Sequence, residues 1–163
     1  MKYQNNQLWS ECQMISLFNA MRYHNLPSVP EMGTKEYEKI CTDYCCINGA
    51  CLKMSTAYKK FGLKRIKGPI KFHWIRKNLP VELGVFCHQG YHSILIVGTK
   101  KNKLLLANYA KNRLSWMEWK NLIKRIKRDK PYSIIVKKGR QNERTNCYVN
   151  DWYKVSTKKN RGK

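Results

Sequence analysis

The stretch that decides the fold is Gln7-Leu-Trp-Ser-Glu-Cys-Gln-Met-Ile-Ser-Leu-Phe-Asn-Ala-Met-Arg22, which predicts a helix with a cysteine in its first turn. Ser10 and Gln13 have the spacing of a capping box, in which each side chain serves the other residue's unpaired backbone N–H. Apolar residues then recur at i, i+3, i+4 and i+7, and they predict one buried face: Met14, Leu17, Phe18 and Met21. We expect the helix to end near Asn25, because a proline follows at position 27.

The position of Cys12 at the start of this helix favours a reactive thiol. Unpaired N–H groups and the positive end of the helix dipole stabilise a negative charge there, so the thiol should ionise more easily. The thiolate is the nucleophilic form of cysteine. The alternative is a small buried residue, as cysteines outside disulfides usually are. This stretch alone leaves both interpretations open.

Length and charge restrict the class of protein. A chain of 163 residues with 42% hydrophobic residues can form one domain with a proper core. The formal net charge of +23 implies a polyanionic partner, which is most often nucleic acid and less often an anionic membrane or an acidic protein. The alternative is a soluble protein whose surface is merely basic. Without an apolar run of about 18 residues no membrane span is expected. Seven cysteines and no secretory signal favour reduced thiols in a cytoplasmic compartment.

The pattern changes along the chain from helical to extended, which predicts an α+β fold. The expected helices are Lys35–Cys46, Ala50–Phe61, Ile70–Asn78, and one that opens at Ser115 with Glu118 in a capping box. The expected strands are Leu63–Ile66 at a sheet edge, Val81–Cys87, Tyr91–Gly98, Leu104–Ala107 and Tyr132–Val136.

Beyond Val136 the chain becomes a basic tail, so we predict a domain at 1–136 and a tail at 137–163. The tail has nine basic and two acidic residues, a net charge of +7, and few apolar side chains. Such segments are solvated or become ordered on a partner. The candidates for binding DNA or RNA are Lys137, Lys138, Arg140, Lys158, Lys159 and Arg161. The domain is itself basic, with 24 basic and 8 acidic residues.

Three residues far apart in the sequence could together form a cysteine-protease site. Such a site needs a thiolate, an imidazole, a polar group that orients the imidazole, and oxyanion donors. His92 lies near the start of the most apolar strand and Asn108 follows the next one, so a short turn would bring both to the helix start at Cys12. Gln7 could donate to the oxyanion. The alternatives are a packed histidine, a turn-forming asparagine and a surface glutamine.

This order of residues resembles the papain-like cysteine peptidase superfamily, and it is most similar to the bacteriocin-leader-processing peptidase domains of peptide exporters and their stand-alone relatives. The similarity runs from Gln4 to Val136, through Glu11-Cys12, Asn19–Tyr23, Ala57–Leu63, Leu79–Val81, Gly90–His92 with Val97-Gly98, and Leu106–Asn108. The resemblance implies a nucleophile helix packed on an antiparallel sheet. It also implies that Cys12 is the nucleophile, His92 the base, Asn108 its orienter and Gln7 an oxyanion donor.

The chain departs from this family at three points. Glu11-Cys12-Gln13 replaces the usual Asp-Cys-Gly, and a glycine there lets the substrate approach closely. The orienting residue is Asn, as in papain, rather than the Asp that is usual in these peptidases. Gln7 is one residue closer to the cysteine than usual, and Asn6 has the usual spacing with a shorter amide.

The remaining cysteines lack the spacing of a zinc site. Cys41, Cys45, Cys46 and Cys51 contain no Cys-x2-Cys pair, and three of them (Cys41, Cys45 and Cys51) suit helix interiors, so we expect neither a metal nor another cofactor.

The sequence therefore favours a thiol-dependent peptidase (a hydrolase) that acts on a peptide or protein. The alternative is a catalytically inactive papain-like protein that binds nucleic acid or serves as a virion structural component with capsid proteins as partners. A third interpretation joins the two, as a peptidase held on nucleic acid by its charge. Virus or phage origin is suggested by composition alone, which is rich in Lys, Asn and Tyr.

Overall fold

An antiparallel sheet organises the part of the chain that the computed structural model describes, which is residues 3–4, 11–44, 46–47, 50–51, 53–87, 90–109, 114–126 and 133–138. The helices are α1 (Cys12–Tyr23), α2 (Lys35–Asp43), α3 (Met54–Lys60), α4 (Phe72–Lys77) and α5 (Trp119–Ile126). The strands are β1 (Cys46–Ile47), β2 (Ala50–Cys51), β3 (Leu63–Gly68), β4 (Val81–Cys87), β5 (Gly90–Lys100), β6 (Lys103–Ala107), β7 (Leu114–Glu118) and β8 (Ser133–Lys138). The main sheet has six strands in the order β3-β8-β4-β5-β6-β7. No described helix has the length and apolar character that crossing a bilayer requires.

Helix α1 is buried around almost its whole circumference. The predicted apolar face is buried, but Ser16, Asn19 and Arg22 are buried as well. The reason is that α1 packs against β5 on one side and against residues of α2 and α3 on the other. The N-cap residue is Glu11, not the predicted Ser10, and its side chain makes no capping hydrogen bond. The helix therefore begins at Cys12 itself.

The sheet is covered on both faces, which explains the continuous apolar run in β5. Leu95 and Val97 belong to the core around α1, whereas Ile94 and Ile96 belong to a second core with residues of α4 and α5. Because strand side chains alternate between faces, a strand buried on both sides has no polar positions in its middle. Strand β4 has the predicted bounds.

The helix predicted to open at Ser115 is wrong, because residues 114–118 form strand β7. Trp116 pairs with Leu105 of β6 and is 50% exposed, and α5 begins only at Trp119. The backbone N–H of Trp119 donates to the carbonyl of Asn102 in the β5–β6 turn, at 2.9 Å. Pairing along the open side of β6 thus overrides the local capping-box pattern.

The two helices predicted around the cysteine-rich segment are too long. Helix α2 ends at Asp43 and α3 begins at Met54, and between them Cys46 pairs with Cys51 in a small antiparallel ribbon. Cys51 therefore lies in a strand rather than in a helix interior, and Cys45 lies outside the described residues. Strand pairing between β1 and β2 replaces the helical hydrogen bonds there.

The last strand is inserted between two strands that come much earlier in the sequence. Strand β8 pairs with β3 on one side and with β4 on the other, and β3 is an edge strand as predicted. It extends two residues past its predicted end at Val136, so Lys137 and Lys138 belong to the sheet.

Candidate active site

The start of α1 meets the sheet where β6 ends. The last pair of the β5–β6 ladder is Leu95 with Ala107, so Ser93 lies beyond it. The backbone N–H of Ser93 is hydrogen-bonded to the Cys12 thiol instead, and the Ser93 carbonyl accepts from the Asn108 side-chain amide at 3.1 Å. The same amide nitrogen lies 3.4 Å from the carbonyl oxygen of Cys12. Asn108 thus joins the helix start to the sheet.

His92 lies in this junction and contacts Asn108. Its Nε2 makes a hydrogen bond with the backbone carbonyl oxygen of Asn108. Asn108 has a left-handed backbone with φ of 63°, a conformation that asparagine adopts more readily than most residues. Asn108 therefore contacts both other candidates: its side-chain amide lies near the Cys12 carbonyl, and its main-chain carbonyl supplies the contact to the His92 imidazole.

Burial determines the charge state of the thiol and the imidazole. Cys12 is 2% exposed, and this burial raises the pKa of its thiol, although the N–H groups of Ser93 and Gln13 act in the opposite direction. The prediction that the helix start eases ionisation is therefore wrong in direction, because desolvation outweighs the N–H groups. Burial also lowers the pKa of His92, against the effect of its contact with Asn108. The resting site holds a neutral thiol and a neutral imidazole that can accept a proton.

Gln4 is anchored to α1 and to Glu31 by polar side chains that sequence reasoning missed. The Asn19 carboxamide accepts from the backbone N–H of Gln4 at 2.8 Å and donates to its carbonyl at 2.9 Å, as a neighbouring strand would. Glu31 accepts from Arg22 at 3.0 Å and also from the Gln4 side chain. The sequence feature that indicates these contacts is the presence of the polar residues Asn19 and Arg22 within an otherwise apolar helix. Gln7 and Asn6, the two oxyanion candidates, lie outside the described residues.

A buried ionic network lies directly beneath the site. Glu82 of β4 is fully buried and accepts from both Arg65 of β3 and the Tyr58 hydroxyl of α3. Its other oxygen accepts from the Ser93 hydroxyl, which also contacts the hydroxyl of Ser16 on α1. Sequence reasoning missed this network too, although a single acidic residue inside an apolar strand was a visible signal.

The structure describes only part of the other candidate sites. Among the residues that the structure describes, no group of three or more His, Cys, Asp or Glu side chains could hold a metal ion. Lys137 and Lys138 are exposed on β8. The tail candidates Arg140, Lys158, Lys159 and Arg161 lie outside the described residues.

Comparison with known proteins identifies the fold. No family model and no curated protein sequence matches the chain. Eleven chains in solved structures are similar, and three of them are peptidase structures of transporters. The first is a double-glycine-motif protease from an AMS/PCAT transporter, in complex with the leader peptide, with 14% identity, a TM-score of 0.62, and 84% of this chain and 94% of that chain covered.

The other two are peptidase domains of ComA. One is from Streptococcus ComA, a bifunctional ABC transporter involved in a quorum-sensing pathway, with 12% identity, a TM-score of 0.67, and 85% and 98% of the two chains covered. The other is from Streptococcus mutans ComA, with 14% identity, a TM-score of 0.55, and 84% and 99% covered. These similarities confirm the α+β, papain-like fold predicted from the sequence and its resemblance to leader-processing peptidase domains.

Proposed function

We propose that this protein is a cysteine peptidase in which Cys12 is the nucleophile, His92 the general base and acid, and Asn108 the residue that orients His92. The observation that supports the proposal is that Asn108, at the end of β6, contacts both Cys12 and His92. The substrate class is a peptide or protein, and Gln7 remains the candidate oxyanion donor beside the backbone N–H of Cys12.

The contact between His92 and Asn108 selects the tautomer that this reaction needs. A carbonyl oxygen can only accept, so Nε2 of His92 carries its proton toward Asn108, and Nδ1 is left as the acceptor. Nδ1 takes the proton of the Cys12 thiol as the sulfur attacks the scissile carbonyl carbon. The imidazolium then protonates the leaving amine, which breaks the peptide bond and leaves a thioester on Cys12.

Hydrolysis of the thioester returns the site to its resting state. Nδ1 of His92 takes a proton from a water molecule while the water oxygen attacks the thioester carbonyl, and the carboxylic acid product leaves as the thiol is reprotonated. The low pKa of His92 keeps the imidazole in its accepting form at neutral pH.

Alkylation of the folded protein with iodoacetamide, followed by peptide mass spectrometry, tests the proposal. We expect Cys12 to be alkylated at pH 7 at least about tenfold faster than in His92→Ala, since the imidazole generates the thiolate. Cys41→Ser, which changes a half-buried cysteine of α2, is the matched control and should leave the Cys12 rate unchanged. Equal Cys12 rates in the wild type and in His92→Ala would refute the proposed pairing.

Charge segregation favours a second candidate function, the binding of nucleic acid. The segments 53–77 and 133–138 contain no acidic residue, whereas five of the ten acidic residues lie in 11–43. The exposed cations of α3, β3, α4 and β8, together with the residues that directly precede α3 and α4, are here called the basic face. Its exposed cations are Lys53, Lys59, Lys60, Lys64, Lys67, Lys71, Arg76, Lys77, Lys137 and Lys138.

The arrangement of lysines on the basic face suits an anionic partner. Lys64 and Lys137 lie directly opposite one another in the β3–β8 register. Like charges at opposed positions repel, and a phosphate placed between them would relieve the repulsion. In the sequence, the rest of the predicted basic tail follows directly after Lys138. Lysines on an edge strand such as β3 also prevent edge-to-edge aggregation. This is the simpler explanation for the lysines, and it is the alternative to nucleic-acid binding.

A salt series separates these explanations. We expect affinity for a single-stranded and a duplex oligonucleotide to fall steeply with salt, and the slope to decrease by about 2–3 in Lys64→Gln/Lys137→Gln/Lys138→Gln. Lys35→Gln/Lys39→Gln, on the acidic α2 side, is the control and should change the slope little. Absence of any salt dependence would refute nucleic-acid binding. Binding without Cys12 reactivity would favour the inactive, virion-type alternative over a cytoplasmic enzyme.

A further inference from the structure

We propose that Glu82 is a positioning residue for the Cys12–His92 site, and that it acts through Ser93. The inference rests on the proposed peptidase function and adds a residue that does not touch the reacting atoms. It follows from the path of hydrogen bonds between the buried carboxylate and the junction at the end of β6.

The first step is that the carboxylate of Glu82 is held rigidly. One oxygen, Oε2, accepts from Nε and Nη2 of Arg65 at 3.2 and 3.0 Å and from the Tyr58 hydroxyl at 3.1 Å. The side chain is 0% exposed, so these donors replace the water that an ionised carboxylate would otherwise hold. The Arg65 guanidinium also lies 5.1 Å from the centre of the Tyr58 ring. The carboxylate thus has one orientation.

The second step links this carboxylate to the helix that carries Cys12. The other oxygen, Oε1, accepts from the Ser93 hydroxyl at 3.1 Å, and that hydroxyl lies 3.0 Å from the hydroxyl of Ser16 on α1. A hydroxyl has one proton, so Ser93 donates to Glu82 and accepts from Ser16. The direction of these two hydrogen bonds is set by the carboxylate, which can only accept.

The third step is that the main chain of Ser93 is part of the candidate site. Its N–H reaches the Cys12 thiol, its carbonyl accepts from Asn108, and its peptide nitrogen is bonded to His92. Fixing the side chain of Ser93 therefore fixes the peptide unit between the thiol and the imidazole. Displacements near 1 Å in such sites reduce turnover by about 100-fold.

Glu82→Gln separates positioning from general loss of fold, because it changes two readouts in different directions. Removal of the buried negative charge should move the pH midpoint of Cys12 alkylation by iodoacetamide to lower pH, since that charge disfavours the thiolate. Turnover should fall nonetheless, because Gln at this position presents an N–H₂ group that competes with the Ser93 donor. We expect hydrolysis of fluorescein-labelled casein to fall by about 10–100-fold.

Two further variants make the test decisive. Ser93→Ala keeps the Arg65–Glu82 pair, should still unfold cooperatively although at a lower temperature than the wild type, and should lose casein hydrolysis to a similar extent. Glu118→Gln, on strand β7 beside Lys120, is the matched control and should change neither readout. The inference is overturned if Glu82→Gln and Ser93→Ala both keep the Cys12 alkylation profile and the casein hydrolysis of the wild type. Casein hydrolysis that survives in Cys12→Ala would instead refute the peptidase proposal. If the wild type leaves casein uncut, the Cys12 alkylation rate of Ser93→Ala, which changes no charge, decides: a rate equal to that of the wild type overturns the inference.

Discussion

Replacement of Arg65 by methionine should destabilise the fold more than any change of an exposed lysine nearby. The substitution keeps the aliphatic contacts and removes the guanidinium, which leaves the fully buried Glu82 carboxylate without its cationic partner. Removing one member of a buried ion pair costs about 3–5 kcal/mol. The Arg65 side chain is 17% exposed, so water can partly replace it, and we expect about 3 kcal/mol.

Urea unfolding at pH 7 measures this effect. With an m-value of about 2 kcal/mol/M, the midpoint should fall by about 1.5 M while m stays unchanged. Lys67→Met on the same strand is the control, because Lys67 is exposed, and its effect should stay within about 0.5 kcal/mol. In Arg65→Met/Glu82→Gln the uncompensated charge is gone, so part of the loss should be recovered. Equal midpoints for Arg65→Met and Lys67→Met would refute the assigned role of the ion pair.

Three further predictions concern the site and the core. The pKa of His92 is lower in the folded state than in the unfolded state, so the folded state loses stability as the pH falls below about 6.5. The urea midpoint should therefore decline less between pH 7 and 5 in His92→Gln than in the wild type, and equal declines would contradict this. Asn108→Ala and Asn108→Gly both lose the side-chain hydrogen bonds, but only alanine is strained at φ 63°, so thermal unfolding should rank glycine above alanine by about 1 kcal/mol. Leu104→Ala, in the fully buried second core, should cost about 2–5 kcal/mol in denaturant unfolding, and a loss below 1 kcal/mol would contradict the packing.

Elements with strong local patterns were predictable from sequence. Strand β4 has the predicted bounds because its apolar run is enclosed in the sequence by Leu79-Pro80 and by His88-Gln89-Gly90, residues that favour a turn. Helix α1 was predicted from its 3.6-residue period. In each case the information lies within a few residues.

Elements whose partners lie far away in the chain were not predictable in this way. The segment 114–118 has the local pattern of a helix start, yet it becomes β7 because β6 offers an unpaired edge. The insertion of β8 between β3 and β4 pairs residues that are far apart in the sequence, such as Leu63 with Lys138 and Leu83 with Ser133, and no local pattern records such pairing.

For the candidate site, the sequence by itself determined which residues could do chemistry and in what order they occur: Cys12 at a helix start, then His92 and Asn108 around a strand pair. Only the tertiary structure decided the ionisation of Cys12, which burial disfavours although its helix position alone favours it. It also decided that Arg65 and Glu82 meet beneath Ser93. The physical reason is that desolvation and buried ion pairing depend on everything that surrounds a group, whereas a motif describes only its neighbours along the chain.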